Sequence, residues 1–180
     1  MKNIISPLEY LLIIFDADGT LRRCKDKRQV CPNKNDEWEV IPGVKEVIDR
    51  YREDRQRRIN NLNMHIESTQ FAIASNQGGI GLGYVTIDDA WGMLENLYKE
   101  VFPSTADMLI TLCPHTERDS CFCRKPNPGM IYNIVNYVNN KDNLRRYNVL
   151  FVGDMESDRQ AAEKAGIRFM WAKDFFGREE

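Results

Sequence analysis

Residues 11–20 read Leu-Leu-Ile-Ile-Phe-Asp-Ala-Asp-Gly-Thr, an apolar run that ends in two acids, a glycine and a hydroxyl. An apolar run of this length predicts a buried strand. Asp16 and Asp18 point the same way if the strand geometry continues. Their like charges repel, so they need a cation or a proton between them. Because open α/β sheets bind ligands at the carboxyl ends of their strands, this segment predicts a metal and nucleophile site.

The rest of the chain alternates strand-like and helix-like patterns. Further strands are predicted at 71–74, 108–112, 149–152 and 168–171. Helices are predicted after Gly43, Thr86, Pro128 and Asp154, the last with a Ser157/Gln160 capping box. The helix after Thr86 is expected to bury one stripe of residues, namely Ile87, Ala90, Trp91, Leu94, Tyr98 and Val101. This alternation predicts an α/β fold with a Rossmann-like, doubly wound, mostly parallel sheet.

Length and composition narrow the class of protein. The chain has 180 residues, which suits a single domain over 1–180, with 22–41 as a loop insertion and no large cap. The formal net charge of −2 shows no overall basic excess that would draw the chain to nucleic acid or a membrane. The sequence lacks both a membrane-length apolar stretch and a secretory signal. We therefore expect a cytoplasmic protein without membrane contact, and a monomer.

Polar residues stand at the ends of the predicted strands. They are Asp16 and Asp18, Ser75 and Asn76, and Asp154, and the chain adds the cations Arg124 and Lys125. Phosphoryl transfer needs such a set: a carboxylate can attack phosphorus, and Mg²⁺ offsets its repulsion from the phosphate. Cations and small donors hold the phosphate oxygens, while a second acid protonates the leaving group.

In this order, the motifs resemble those of the haloacid dehalogenase superfamily of phosphatases over about residues 11–171. The resemblance implies that Asp16 is the nucleophile and Asp18 the general acid/base. It implies that the substrate and its phosphate are bound by Thr20, Ser75, Asn76, Arg124 and Lys125. It further implies that Asp16, the main-chain carbonyl of Asp18 and Asp154 hold Mg²⁺, with Asp158 behind them or in a weaker metal-site role. Read alone, Asp158 is equally well a first-turn acid favoured by the helix dipole.

A second group of polar residues lies at 113–123. Cys113, His115, Cys121 and Cys123 offer three thiols and one imidazole within eleven residues. This donor set matches tetrahedral Zn²⁺, and since all four positions are protein ligands, the metal's role is structural. The alternative is a reduced loop with incidental thiols. A zinc-stiffened loop would position the cations that follow it directly.

This loop narrows the resemblance to one branch of the superfamily, subfamily III. The run from Cys113 to Met130 is similar to that of the D-glycero-D-manno-heptose bisphosphate and histidinol-phosphate phosphatases, and Ser75–Ile80 is close to their Thr-Asn-Gln-Ser-Gly-Ile. The resemblance implies a small phosphorylated metabolite as substrate. The chain departs from this branch at Ala17, often Arg in heptose enzymes, and in the expanded stretches 22–40 and 52–68. Cys24 and Cys31 are expected to be free thiols.

Two alternatives stay open. Asp36-Glu37-Trp38 and Gln77–Gly81 resemble polynucleotide 3′-phosphatases of the same superfamily, whose partner is a nucleic-acid end. That function predicts a basic track to the cleft from Arg22, Arg23, Lys25 and the cations of the 50s. The other alternative is a zinc-stabilised binding module without turnover. The complete set of acids, hydroxyl and lysine argues against it.

Overall fold

The computed structural model describes residues 11–62, 69–102, 107–142 and 148–178. The described residues form seven strands: β1 Leu12–Phe15, β2 Arg22–Cys24, β3 Trp38–Val40, β4 Gln70–Asn76, β5 Leu109–Cys113, β6 Val149–Gly153 and β7 Arg168–Trp171. In the same parts of the chain there are five α-helices: α1 Val44–Leu62, α2 Ile87–Val101, α3 Gly129–Asp142, α4 Glu156–Ala165 and α5 Ala172–Phe176. Of the expanded stretch 52–68, the part up to Leu62 belongs to α1, and 63–68 lies outside the described residues.

The central sheet has the order β5-β4-β1-β6-β7, and every pairing in it is parallel. Strand β1 lies in the middle of the sheet, where its Ile14 stands between Ala72 of β4 and Phe151 of β6. β1 and β6 are buried on both faces of the sheet, and this explains why each is a continuous apolar run. The expected doubly wound parallel sheet is confirmed.

Helices cover both faces of this sheet. Ile13 and Phe15 of β1 point into a core made with α1, α2 and α5. Their neighbours Leu12 and Ile14 point to the opposite face, where α3 and α4 pack. The alternation follows from the two-residue period of a strand. As predicted, Asn127-Pro128 precedes α3, whose inner face buries Met130, Ile131, Ile134, Val135 and Val138.

The predicted buried stripe of α2 is wrong at two residues. Ile87 is 53% exposed and Trp91 is 41% exposed, whereas Met93 and Leu97 are buried. The buried stripe consists of Ala90, Met93, Leu94, Leu97, Tyr98 and Val101, and Ile87 and Trp91 lie outside it. The Trp91 indole instead donates to Glu95 Oε1 at 3.0 Å along the helix surface.

Two other local predictions need correction. Residues 22–41 are not only a loop, because β2 and β3 pair there as an antiparallel ribbon. The capping residues of α4 also differ from prediction: Met155 is its N-cap and Asp158 accepts from the Met155 N–H at 3.0 Å, in place of the Ser157/Gln160 pair. The helix thus begins one residue before Ser157, and Gly166 ends it with a φ of 70°.

Within the described parts of the chain, none of the helices combines the length and the apolar character needed to cross a membrane.

Candidate active site and metal centres

A cleft of about 570 Å³ opens at the carboxyl ends of β1, β4 and β6. These three strands are neighbours, so residues far apart in sequence meet at one edge of the sheet. The lining includes most of the predicted site, namely Asp16, Asp18, Ser75, Asn76, Arg124, Lys125, Asp154 and Asp158. Val30 and Cys31, from the connection between β2 and β3, also line the cleft.

Asp16 lies at the base of the cleft, directly beyond β1. Its Oδ1 accepts a very short hydrogen bond from Lys125 Nζ, and Oδ2 takes none from the residues that the structure describes. Burial, opposed by the Lys125 charge, raises the pKa of Asp16 to about 7. A carboxylate held this way has one oxygen tied to a cation and one that remains available for chemistry.

Lys125 is almost fully buried and bridges two acids. Besides Asp16, its Nζ lies 2.7 Å from Asp158 Oδ1 and donates to Ala74 O at 2.9 Å. Burial opposes the charge of Lys125, but the two carboxylates outweigh it and raise the pKa of its ammonium group. Sequence reasoning placed Asp158 at a helix start, and it lies there, but its contact with Lys125 was not foreseen.

Three carboxylates gather at this point. Asp16, Asp154 and Asp158 each place an oxygen within 4.8 Å of the others. Burial raises the pKa of Asp154 as well, against the hydrogen bond that Thr20 Oγ1 donates to its Oδ1 at 3.0 Å. With a single lysine among three acids, negative charge is in excess. An all-oxygen donor set with excess charge fits Mg²⁺.

The Asp18 carboxylate does not belong to this group of three acids. β1 ends at Phe15, and the strand alternation that would align the two acids does not continue. Arg22 Nε instead binds Asp18 Oδ1 at 2.8 Å, and Gln77 Nε2 donates to Asp18 Oδ2 at 3.0 Å. Asp18 therefore has its own partners, separate from the group of three acids.

Gln77 is a site residue to which sequence reasoning gave no role. It is buried, and its Nε2 donates both to Asp18 Oδ2 and to Ser75 Oγ, the latter at 2.8 Å. The Ser75 hydroxyl hydrogen stays available to a ligand because Ser75 is the acceptor in that contact. The sequence signal was present, since Gln77 directly follows the Ser75-Asn76 pair.

Asn76 and Thr20, predicted to bind substrate, are engaged by the protein. Asn76 Oδ1 accepts from the Lys125 N–H at 3.0 Å, and its Nδ2 donates to the Lys125 carbonyl at 3.1 Å. This reciprocal pair fixes the main chain of Lys125 against β4. Thr20 is fully buried and donates to Asp154. Both contacts orient other site residues.

The predicted zinc ligands converge. Cys113, His115, Cys121 and Cys123 bring their ligand atoms within 4.8 Å of one another. Individual separations are 3.3 Å for Cys123 Sγ to Cys113 Sγ and 3.2 Å for His115 Nδ1 to Cys123 Sγ. Zn–S bonds of about 2.3 Å in a tetrahedron imply ligand spacings slightly longer than these. Three thiols and an imidazole so close together therefore fit zinc.

This Cys/His cluster touches the segment that carries the two cations. Cys121 Sγ accepts from the Arg124 N–H at 3.3 Å, and Arg124 Nη1 donates to the His115 carbonyl at 3.1 Å. Arg124 lines the cleft on the side of the Cys/His cluster. Cys24 and Cys31 are free thiols, as predicted, and lie outside the cluster.

The parallel sheet, with acids, a hydroxyl and a lysine meeting at its carboxyl edge, defines the class as a phosphatase of the haloacid dehalogenase superfamily. The model of the family described as polynucleotide kinase 3 phosphatase matches residues 11–176. The chain belongs to that family.

Curated relatives agree with this class. The chain is 30% identical over 156 residues to a D-glycero-beta-D-manno-heptose-1,7-bisphosphate 7-phosphatase of Neisseria meningitidis, covering 86% of this chain and 73% of that one. It is 29% identical over 102 residues to a histidine biosynthesis bifunctional protein of Legionella pneumophila, covering 56% of this chain and 28% of the relative.

A solved structure gives the same result. The D,D-heptose 1,7-bisphosphate phosphatase from B. bronchiseptica, complexed with magnesium and phosphate, superposes with a TM-score of 0.65 at 27% identity. The match covers 88% of this chain and 78% of that one. The resemblance inferred from the motifs is confirmed, and the chain is a phosphatase.

Proposed function

We propose that this chain is a Mg²⁺-dependent phosphomonoesterase that cleaves a small phosphorylated sugar or related metabolite through an aspartyl-phosphate. The observation that carries the proposal is the buried Asp16–Lys125–Asp158 arrangement at the base of the cleft. It couples a carboxylate that has a free oxygen to a fixed positive charge, which is what attack on a phosphate dianion requires.

In the first step Asp16 Oδ2 attacks phosphorus and the bond to the substrate oxygen breaks. Lys125 and the Ser75 hydroxyl hold the phosphate oxygens as their charge redistributes. Asp18 gives its proton to the departing alcohol. Bound at Asp16, Asp154 and the Asp18 main-chain carbonyl, Mg²⁺ would offset the repulsion between the attacking carboxylate and the phosphate.

In the second step Asp18 takes a proton from water, and the resulting hydroxide releases phosphate from Asp16. Asp158, whose two oxygens are engaged by Lys125 and the Met155 N–H, positions the lysine rather than the substrate. Asn76 also positions Lys125, through a hydrogen bond to the main chain of the lysine.

The cleft suits a compact substrate that carries phosphate. Arg124 lies at its zinc-loop side, with a side chain that is 21% exposed, and is placed to bind an anionic or hydroxylated part of the substrate. The curated relatives named heptose-bisphosphate phosphatases support a phosphorylated sugar. Histidinol phosphate is the second small substrate to consider, from the bifunctional histidine-biosynthesis relative.

A polynucleotide 3′-phosphatase is the alternative that the family description favours. A 3′-phosphatase predicts a track of basic residues that leads to the cleft. That track is not seen among the described residues that line the cleft, and none of them comes from α1, which carries the cations of the 50s. Arg22 is buried against Asp18, and Arg23 pairs with Glu39 at 2.7 Å. Lys25 donates to the Asp36 carbonyl. These contacts weigh against a bound strand.

A phosphate-release panel tests the proposal. With Mg²⁺ present, D-glycero-D-manno-heptose 1,7-bisphosphate or histidinol phosphate should turn over with kcat/KM at least about 10⁴ M⁻¹s⁻¹. A 3′-phosphorylated oligonucleotide should be turned over at least about a hundredfold less efficiently. Preference for the oligonucleotide would replace the small-metabolite assignment. No release from any phosphomonoester would support the non-catalytic binding module.

Gly19→Ala, compared with a control variant that has the same backbone strain, tests whether Asp154 takes part in Mg²⁺ binding. Gly19 has a φ of +86°, and an added Cβ would overlap the Asp154 carboxyl, lying 2.7 Å from its Cγ. Displacing Asp154 should raise the Mg²⁺ concentration for half-maximal activity at least about tenfold. The measurement is a Mg²⁺ titration of phosphatase activity.

Gly43→Ala is the matched control. Its φ of +85° imposes the same left-handed strain, of about 1–2 kcal/mol, but nothing lies within 4 Å of the added Cβ. Both variants should lose stability to this strain in a thermal melt, Gly19→Ala more than the control because its Cβ also overlaps Asp154, and only Gly19→Ala should need more Mg²⁺. If the two variants needed the same Mg²⁺ concentration for half-maximal activity, Asp154 would not be a ligand of the metal.

A further inference from the structure

An arginine is buried beside the proposed acid/base. Arg22, the first residue of β2, has no exposed surface. A tight turn folds it back: its N–H donates to the Ala17 carbonyl at 3.0 Å, and its carbonyl accepts from the Gly19 N–H at 2.8 Å. This turn brings the guanidinium to Asp18, with Nε 2.8 Å from Oδ1 and Nη2 3.2 Å from Oδ2. A planar fork on both oxygens fixes the orientation of the carboxylate.

The β2–β3 ribbon covers this ion pair. Arg22 Cζ lies 5.7 Å from the ring centroid of Trp38, which is 7% exposed and begins β3. An arginine on an aromatic face is held in place as well as shielded, and the attraction grows when water is excluded. The ribbon formed by the insertion therefore keeps solvent from one side of Asp18.

Gln77 holds the carboxylate from β4. Its Nε2 reaches Asp18 Oδ2, the oxygen that Arg22 Nη2 also binds. The Asp18 side chain nevertheless remains 18% exposed, and Asp18 lines the cleft. The acid is thus oriented from two sides and still reaches the space where a substrate would lie.

The way Arg22 is buried argues against a role in hydrophobic packing alone. Its Nη1 is buried without a hydrogen-bond partner among the described residues. A buried unpaired donor is costly, and an apolar side chain at this position would avoid that cost. What an apolar side chain could not do is hold Asp18.

We propose that Arg22 is a positioning residue for the general acid/base, an inference that rests on the proposed function. It orients the Asp18 carboxyl beside the cleft, with Oδ1 as the oxygen that exchanges the proton, because Oδ1 has one donor among the described residues and Oδ2 has two. Proton transfer depends steeply on such placement. Arg22 contributes to the steps in which Asp18 gives or takes a proton, and not to the attack by Asp16.

Leaving groups that differ in their need for a proton test this role. An alkyl alcohol leaves slowly unless its oxygen is protonated, whereas p-nitrophenolate leaves as a stable anion. Arg22→Met should lower kcat/KM for an alkyl phosphate about 10- to 100-fold and for p-nitrophenyl phosphate less than about threefold. Because kcat/KM covers steps only up to release of the alcohol, later hydrolysis of the aspartyl-phosphate does not enter the comparison.

Arg23→Met is the matched control, since Arg23 is the next residue of β2 and its side chain, 52% exposed, pairs only with Glu39 among the described residues. Both rates should stay unchanged there. Arg22→Lys keeps the charge without the planar fork and should recover part of the alkyl-phosphate rate. If a thermal melt shows that Arg22→Met does not fold, the ratio of the two substrates in Arg22→Lys decides the question.

Equal losses on alkyl and aryl phosphates in a folded Arg22 variant would overturn the inference and leave a structural role. That outcome would leave the phosphatase assignment intact, because the latter is tested by Asp16. Retained activity in Asp16→Asn would instead sink the proposed mechanism whatever the Arg22 variants show.

Discussion

Asp16→Asn should lower phosphatase kcat at least about 10⁴-fold while the protein stays folded. The amide oxygen is a poor nucleophile, so no aspartyl-phosphate forms. The fold should tolerate the change because Asp16 is buried among acids that repel it, and burial already raises its pKa to about 7. Lys125 keeps its contact with Asp158. Phosphate release and a thermal melt measure the two effects.

Mass spectrometry of acid-quenched enzyme makes this test direct. With p-nitrophenyl phosphate, whose leaving group needs no proton, Asp18→Asn lacks the proposed base for the second step and should accumulate protein that carries one phosphoryl group. The Asp16→Asn/Asp18→Asn double variant should carry none. Asp26→Asn, at an exposed acid that pairs with Arg28, is the control and should behave as wild type. Normal turnover by Asp16→Asn would exclude the covalent route.

Removing zinc should have the second-largest effect. Cys123→Ser should abolish bound zinc and lower kcat/KM about 100-fold, because Lys125 lies two residues beyond this ligand. Without the metal, the loop from Cys113 to Cys123 keeps few apolar contacts to hold its shape. Elemental analysis gives the zinc content, and activity is assayed with Mg²⁺ in excess.

Cys24→Ser supplies the control, since Cys24 is a free thiol outside the Cys/His cluster. It should keep both zinc and activity. A zinc-selective chelator, added with Mg²⁺ held constant, should reproduce the loss in the wild-type protein. Full activity in zinc-free protein would show that the cluster does not position the cations.

Much of the fold could be predicted because its signals are local. β1 and β6 are unbroken apolar runs, and α3 has a helical stripe after Asn127-Pro128. Hydrophobic periodicity records burial directly, so it predicted the parallel sheet. Periodicity was less reliable at the edge of α2, where Ile87 and Trp91 are exposed. The apolar stripe of a helix shows which side faces the core, but not how many residues on that side are buried.

The site residues were predicted as a set, and several roles depended on contacts that no local pattern contains. Arg22 was read as part of a basic track and is instead buried on Asp18. Asn76 was assigned to substrate and binds the Lys125 main chain. Gln77 had no role and connects Ser75 to Asp18. Residue type predicts which chemistry a side chain can perform, but not which neighbour uses it.

The sequence by itself determined the succession of strands and helices along the chain, the residue types that suit phosphoryl transfer and the four Cys and His residues that could hold zinc, because each is written in a short stretch of chain. Only the tertiary structure decided which acid pairs with which cation. Lys125 meets Asp16 across 109 positions of sequence because Asn76 fixes the Lys125 main chain at the end of β4, and β4 lies beside β1 in the sheet. Strand order is set by packing over the whole sheet, and no single segment encodes it.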